Sequence, residues 1–156
     1  MRPPETYLAP VVLLAFVGAG ISGFLLANHY GKVDAGFCSI TPGVSCEDVN
    51  RSPWAKLAGI PVAAIGLAGF LALAVMVLDI RLRERPLFRA AHAFLLSLGG
   101  LGFGVYLTWV EVAVLRTICL LCVVTFALGI AISALAGLAF LAERRGVHAP
   151  AALPEE

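Results

Sequence analysis

Charge is what this sequence has least of. Only 13% of its 156 residues are Asp, Glu, Lys or Arg, roughly half the share of an ordinary soluble domain. The 11 Lys and Arg offset 10 Asp and Glu to a net charge of +1. No basic face is left to hold a phosphate backbone, so nucleic acid is excluded as a partner. Cysteine is scarce too. Four residues are too few to staple a chain of this length, though enough for two redox pairs or one metal site. The sequence has no internal repeat, phosphate-binding glycine loop or low-complexity tract. What it has in excess is apolar surface: 60% hydrophobic residues and a mean hydropathy of +0.95. Such a chain is not disordered and fits a water-soluble globule poorly.

Four apolar stretches account for the excess, at Leu8–Asn28, Leu57–Leu78, Ala90–Val110 and Ile118–Ala142. Crossing about 30 Å of hydrocarbon takes roughly 20 apolar residues in a helix. Each stretch meets that length, and none carries Asp, Glu, Lys or Arg inside it. Buried helices of a soluble bundle would show a polar face at helical spacing, and these do not. The first stretch is too long for the apolar region of a signal peptide and has no clean small-x-small site after it. The fold class expected is therefore all-α: an integral membrane four-helix bundle occupying residues 8–142. Residues 1–7 form an N-terminal segment, and 143–156 read as a disordered tail.

Basic residues orient the bundle. Arg2, Arg81, Arg83, Arg85, Arg89, Arg144 and Arg145 fall on one side, and Lys32, Arg51, Lys56 and Arg116 on the other. The richer side is cytoplasmic, so both termini are expected there. The 29–56 loop and the Glu111–Thr117 turn then face outward. Gly100 and Gly104, and the ladder Gly129, Ser133 and Gly137, are spaced as small residues that let membrane helices approach closely.

The cysteines cluster at the outer face. Cys38 and Cys46 lie in the long loop, and Cys119 and Cys122 form a C-x-x-C at the start of the fourth stretch. Packing cysteines would scatter. The outer compartment is also where disulfides form and persist. Thr117 is the expected N-cap, placing Cys119 in the first turn among orphan N–H groups, a setting suited to a nucleophilic sulfur. Ser45 is the expected N-cap of a short loop helix beginning at Cys46, with Ser52-Pro53 a second start signal. Zinc uses C-x-x-C with a second pair, but a seven-residue spacing and a ligand at the lipid boundary disfavour it, so no metal is assigned. A C-x-x-C bond closes too short a loop to constrain the unfolded chain, so it reads as an exchangeable bond rather than a staple.

At these residues the sequence resembles the vitamin K epoxide reductase family in its bacterial form. The shared segments are CSITPGVSCEDVNRSPWAKLAGIPVAAIG, GFGVYLTWVE and TICLLCVVTF, in the family's order. The resemblance implies a four-helix bundle around a quinone, menaquinone or ubiquinone, capped by the loop and its helix. It implies that Cys119 and Cys122 are the active-site pair, with Cys122 passing electrons to the quinone. Cys38 and Cys46 match the shuttle pair, reduced by a thioredoxin-like (DsbA-like) protein that inserts disulfides into secreted proteins. That partner is expected in trans, because the sequence stops at Glu156 without a fused thioredoxin domain. The setting implied is the bacterial cell membrane, with lipid around the bundle.

Ser52 matches a Ser or Thr near the quinone head group. Two positions depart from the animal pattern. Phe126 stands where animal members carry Tyr, and Val62 where they carry Asn, so two hydrogen bonds to the bound ring are missing. This weighs against epoxide reduction more than against simple quinone reduction. Tyr106 and Trp109 fit the interfacial aromatic belt, with Tyr106 also a candidate ring contact. His29 reads as an interfacial residue, His92 as packing, and Glu111 and Arg116 as flanks of the turn beside the C-x-x-C. The expected activity is a quinone-dependent thiol–disulfide oxidoreductase. The alternatives are a non-catalytic four-span protein with structural disulfides and a vitamin K epoxide reductase in the strict sense.

Overall fold

The computed structural model describes residues 4–83 and 89–147. Four long helices dominate: α1 (Pro4–His29), α3 (Val62–Leu82), α4 (Ala90–Trp109) and α5 (Leu120–Val147). Each is long and apolar enough to cross a membrane. Their outer sides carry large exposed apolar side chains, among them Leu13, Val75, Leu95 and Ile130. Water would penalise such surface, whereas lipid tails are its natural solvent. The chain is thus a multi-pass membrane helix bundle, as its composition requires.

Helix ends differ from the sequence reading in ways that have local causes. The second span begins at Val62, not Leu57, because residues 56–61 turn back on themselves as a two-strand hairpin, β1 (Lys56–Leu57) with β2 (Ile60–Pro61). Its two-residue loop, Ala58 (φ 51°) and Gly59 (φ 84°), has the paired positive φ values of the turn that matches strand twist. At the other ends, α1 reaches back to Pro4 and α5 runs on to Val147, so the terminal segments are partly helical. The helical extension of α5 is used. The Glu143 carboxylate accepts the Ala90 backbone N–H (3.2 Å), tying the last turns of α5 to the start of α4. The tail beyond Val147 lies outside the described residues.

Between α1 and α3 the loop carries α2 (Cys46–Arg51), flanked by short 3-10 turns at Gly36–Cys38 and Pro53–Ala55. Packing divides the interior in two. One cluster, including Leu8, Val11, Ala15, Leu73, Val77, Ala93 and Ile132, joins the four helices away from the loop. A second cluster joins Leu25 to Ala35, Cys38, Cys46, Val49 and Cys119 beneath the loop.

Small residues set the helix spacing at particular points. A Cβ on Gly18 would come within 2.6 Å of the Phe70 ring, and one on Gly137 within 3.1 Å of Phe94. The Ser133 hydroxyl donates to the Ser97 carbonyl (3.2 Å), a cross-helix bond between α5 and α4. The glycine ladder is not uniform, however. Gly100 and Gly129 have nothing within 4 Å of an added Cβ and line a cavity instead. Their small size makes room rather than contact.

Candidate active site

The loop is held over the bundle by buried polar side chains. Asn50, on α2, donates to the Leu25 carbonyl (2.7 Å) and to Asn28 Oδ1 (3.0 Å). Asn28 in turn donates to the Val33 carbonyl (3.0 Å). His29 Nδ1 lies 2.7 Å from the Asn50 carbonyl oxygen, so the histidine ties α1 to α2. The helix itself starts as expected, with the Ser45 hydroxyl accepting the Asp48 N–H (3.2 Å). Cys46 is thereby the first helical residue. Cys38 ends the preceding 3-10 turn, and the two are joined by a disulfide with Cα atoms 5.6 Å apart.

A backbone clasp sets the C-x-x-C beneath this disulfide. Ile118 donates to the Gly43 carbonyl (2.9 Å) and accepts from Ser45 N–H (3.1 Å), a parallel bridge between Val44 and Ile118. With Ile118 held extended, α5 cannot begin until Leu120. Thr117 is therefore not its cap, and its hydroxyl turns back to the Leu115 carbonyl. Cys119 takes the cap position instead: its Sγ accepts the Cys122 N–H (3.2 Å) and its carbonyl accepts from Val123 (3.0 Å). One sulfur thus sits on the orphan amides of the helix start. Cys38, Cys46 and Cys119 are all fully buried in one cluster, and Cys122 packs against it. Cys119 and Cys122 are free thiols.

Below Cys122 is a cavity of about 340 Å³. It runs along α4 from Leu96 to Glu111, with walls from α1 (Ser22), α3 (Gly66, Gly69, Phe70) and α5 (Cys122, Thr125, Phe126, Gly129). The lining is mostly apolar, with Thr108, Glu111, Cys122 and Thr125 at the thiol end. Gly69, Leu96, Gly99 and Gly100 line it and are themselves exposed, so it opens between α3 and α4 toward lipid.

Residues 9–137 match the vitamin K epoxide reductase family. The chain belongs to that family. The matched span holds all four cysteines and every lining residue of the cavity. Family membership, a loop disulfide and an adjacent thiol pair together make this a membrane oxidoreductase of the vitamin K epoxide reductase family.

The structure brings the four cysteines together and distributes the other candidates. Phe126 lines the cavity, where its ring packs against Gly104. Ser52, Val62 and Tyr106 are not among the lining residues. Ser52 caps the end of α2, donating to the Val49 carbonyl (2.8 Å). Val62 is the first residue of α3, above the cavity. Tyr106 faces outward, 41% exposed, and stacks on Phe103, itself a lining residue. His92 closes a capping box with Arg89 at the start of α4, accepting the Arg89 N–H at Nδ1 (3.2 Å).

Glu111, which the sequence marks only as a flank of the turn, is the residue whose place in the site sequence reasoning missed. It is 5% exposed, and α4 continues through it as a π-turn, Val110–Leu115. Such turns are rare and frequent at functional sites. A Glu111 carboxylate oxygen accepts the Cys119 N–H (3.2 Å), and a carboxylate oxygen and the sulfurs of Cys119 and Cys122 all lie within 4.8 Å of one another. Three donors converge here among the described residues, short of the four of a closed zinc site. The signal was present: an acidic residue at the end of an uncharged membrane span is a functional candidate by default. A span ended at Val110 leaves it out by one residue.

Proposed function

We propose that the protein is a quinone-dependent thiol–disulfide oxidoreductase that reoxidises a thioredoxin-like partner. The observation that carries this reading is the burial of Cys38, Cys46 and Cys119 in one cluster, with Cys122 reaching from that cluster into the cavity wall. A disulfide can then pass from pair to pair by thiolate attack on sulfur. The partner's dithiol reduces Cys38–Cys46. The loop dithiol then reduces Cys119–Cys122, with Cys119 as the member that exchanges with the loop, a role its burial in the loop cluster supports. The C-x-x-C dithiol finally delivers two electrons and two protons to the quinone as its own bond closes.

The cavity supports a quinone as the acceptor. Its volume falls in the range of small-molecule sites, about 300–1,000 Å³, and Thr108, Glu111, Cys122 and Thr125 put polar groups at the thiol end, with Ser22 and Ser97 elsewhere in the lining. Its opening toward lipid suits a substrate whose long apolar tail stays in the bilayer. In this reading the cysteines face the outer side of a bacterial cell membrane and the termini are cytoplasmic, in line with the excess of Arg on the terminal side.

The test follows quinone absorbance with purified protein and a reduced thioredoxin-like donor. Turnover is expected to vanish on Cys119→Ala or Cys122→Ala. Cys38→Ala and Cys46→Ala lose turnover with the protein donor and keep it with a small membrane-permeable dithiol. Full turnover in the Cys119→Ala and Cys122→Ala proteins would sink the relay and leave structural disulfides as the explanation.

A further inference from the structure

Moving a pair of electrons from thiols to a quinone also requires moving two protons. Cys119 is buried, Cys122 is half-buried against the mostly apolar cavity proposed for the acceptor, and water is poorly placed there to carry those protons. A carboxylate stands at the junction. Glu111 is the buried residue that touches both parties: it lines the cavity, and its carboxylate lies within 4.8 Å of both sulfurs. Among the described residues no Lys, Arg or His forms an ion pair with it, so it is not one half of a structural salt bridge. Its backbone closes the local turn, and its carboxylate adds the bond from the Cys119 N–H. The Glu111 carbonyl accepts from both the Arg116 and Thr117 N–H groups, which closes the π-turn.

We infer that Glu111 is the proton carrier of the thiol pair: it takes the proton from each thiol of the Cys119–Cys122 dithiol and delivers it to the acceptor in the cavity. This rests on the quinone reading above. In each transfer the S–H bond breaks and an O–H bond forms on the carboxylate. The carboxylic acid then gives that proton to the acceptor oxygen. Repeated for the second thiol as the Cys119–Cys122 bond closes, the sequence moves two protons and two electrons. Dithiol and quinone become disulfide and hydroquinone, and Glu111 ends as it began.

The position of the carboxylate explains a cost that is otherwise unreturned. An ionisable group inside a membrane span is expensive and persists where function uses it. The Cys119 N–H bond to the carboxylate orients the group toward the sulfurs, the second-partner arrangement that an effective base requires.

The experiment uses Glu111→Gln, which still accepts the Cys119 N–H but cannot carry a proton. Protein reduced at Cys119–Cys122 with a small dithiol is mixed with a soluble quinone, and a single turnover is followed beside the wild type. General-base catalysis contributes roughly a hundredfold or more, so the rate is expected to fall by at least that factor. The thermal midpoint in detergent and the reduction of the Cys119–Cys122 disulfide by excess dithiol should be unchanged. A Glu111→Gln rate within a few-fold of wild type overturns the proposal while the quinone reading stands. Failure of the wild type to reduce quinone overturns both.

Should the variant not fold, the wild type decides the matter. A hydrophobic carbodiimide applied to the oxidised protein is expected to add mass at Glu111 and to abolish quinone reduction after re-reduction. Absence of labelling there, or labelling with full turnover, overturns the assignment.

Discussion

Substituting one glycine tests whether the cavity is where the acceptor binds. Gly104 on α4 faces Phe126 on α5, and both line the cavity. A Cβ at position 104 would lie 2.7 Å from Phe126 Cδ2 and 3.2 Å from Cε2, so the ring has to move. Overpacking of this kind costs about 1–3 kcal/mol. Removing glycine from a helix interior returns about 0.5–1 kcal/mol. The ring lines the cavity and can move into it. Gly104→Ala is therefore expected to transfer the strain from stability to binding. The thermal midpoint stays near that of wild type, and the KM for quinone rises roughly 5- to 30-fold, the factor that corresponds to about 1–2 kcal/mol.

Steady-state quinone reduction driven by a small dithiol measures this. Gly23→Ala serves as the control, since nothing lies within 4 Å of its added Cβ and it is not a lining residue. It should leave the quinone KM unchanged. Adding Phe126→Leu to Gly104→Ala removes the colliding ring edge and should restore most of the lost affinity. An unchanged quinone KM in Gly104→Ala, with an unchanged midpoint, would refute the reasoning, because a methyl would then have been placed against Phe126 without consequence for the ligand.

Other substitutions probe the cap. Asn50→Ala leaves the Leu25 carbonyl and Asn28 Oδ1 without their buried donor. It is expected to cost about 1–3 kcal/mol in denaturant unfolding and to slow transfer from a protein donor more than from a small dithiol. Arg116 holds φ 53° as a non-glycine residue at the end of the π-turn. Arg116→Gly should raise stability by up to about 1 kcal/mol, and a fall in the unfolding midpoint would contradict the left-handed turn. Cys38 and Cys46 are fully buried. After reduction, a bulky water-soluble maleimide should label them at least about tenfold more slowly in the folded protein than after unfolding, since reaction requires local opening. Equal rates would show that the loop does not cover them.

Much of the fold was legible because lipid imposes so few options. Twenty-residue stretches without charge have one common solution, a spanning helix, and the four stretches became α1, α3, α4 and α5. The Ser45 cap was legible too, because a hydroxyl before Cys-Glu-Asp satisfies an orphan amide by local chemistry alone. The Thr117 cap failed for a reason no local pattern contains. The bridge from Val44 to Ile118 joins segments more than 70 residues apart, and it delays the start of α5 until Cys119 itself becomes the cap. The hairpin at Lys56–Pro61 was hidden by its own composition, since Leu57, Ala58, Gly59 and Ile60 read as the beginning of an apolar span.

The candidate site divides along the same line. Cysteines announce themselves by spacing, so both thiol pairs are readable in the bare sequence. The cavity proposed for the acceptor is not, because it is made of residues that announce nothing. Gly69, Gly99, Gly100 and Gly129 are, in sequence, indistinguishable from the glycines that close helix contacts at Gly18 and Gly137. Only their surroundings across the bundle decide which role each takes: a ring meets Gly18 and Gly137, whereas nothing lies within 4 Å of a Cβ added at the other four. Glu111 joins the two halves of the problem. As one charged letter at the edge of an apolar run it reads as an end marker, yet the π-turn folds it inward beneath Cys119. In the proposed mechanism that carboxylate is the group through which thiol chemistry and cavity communicate.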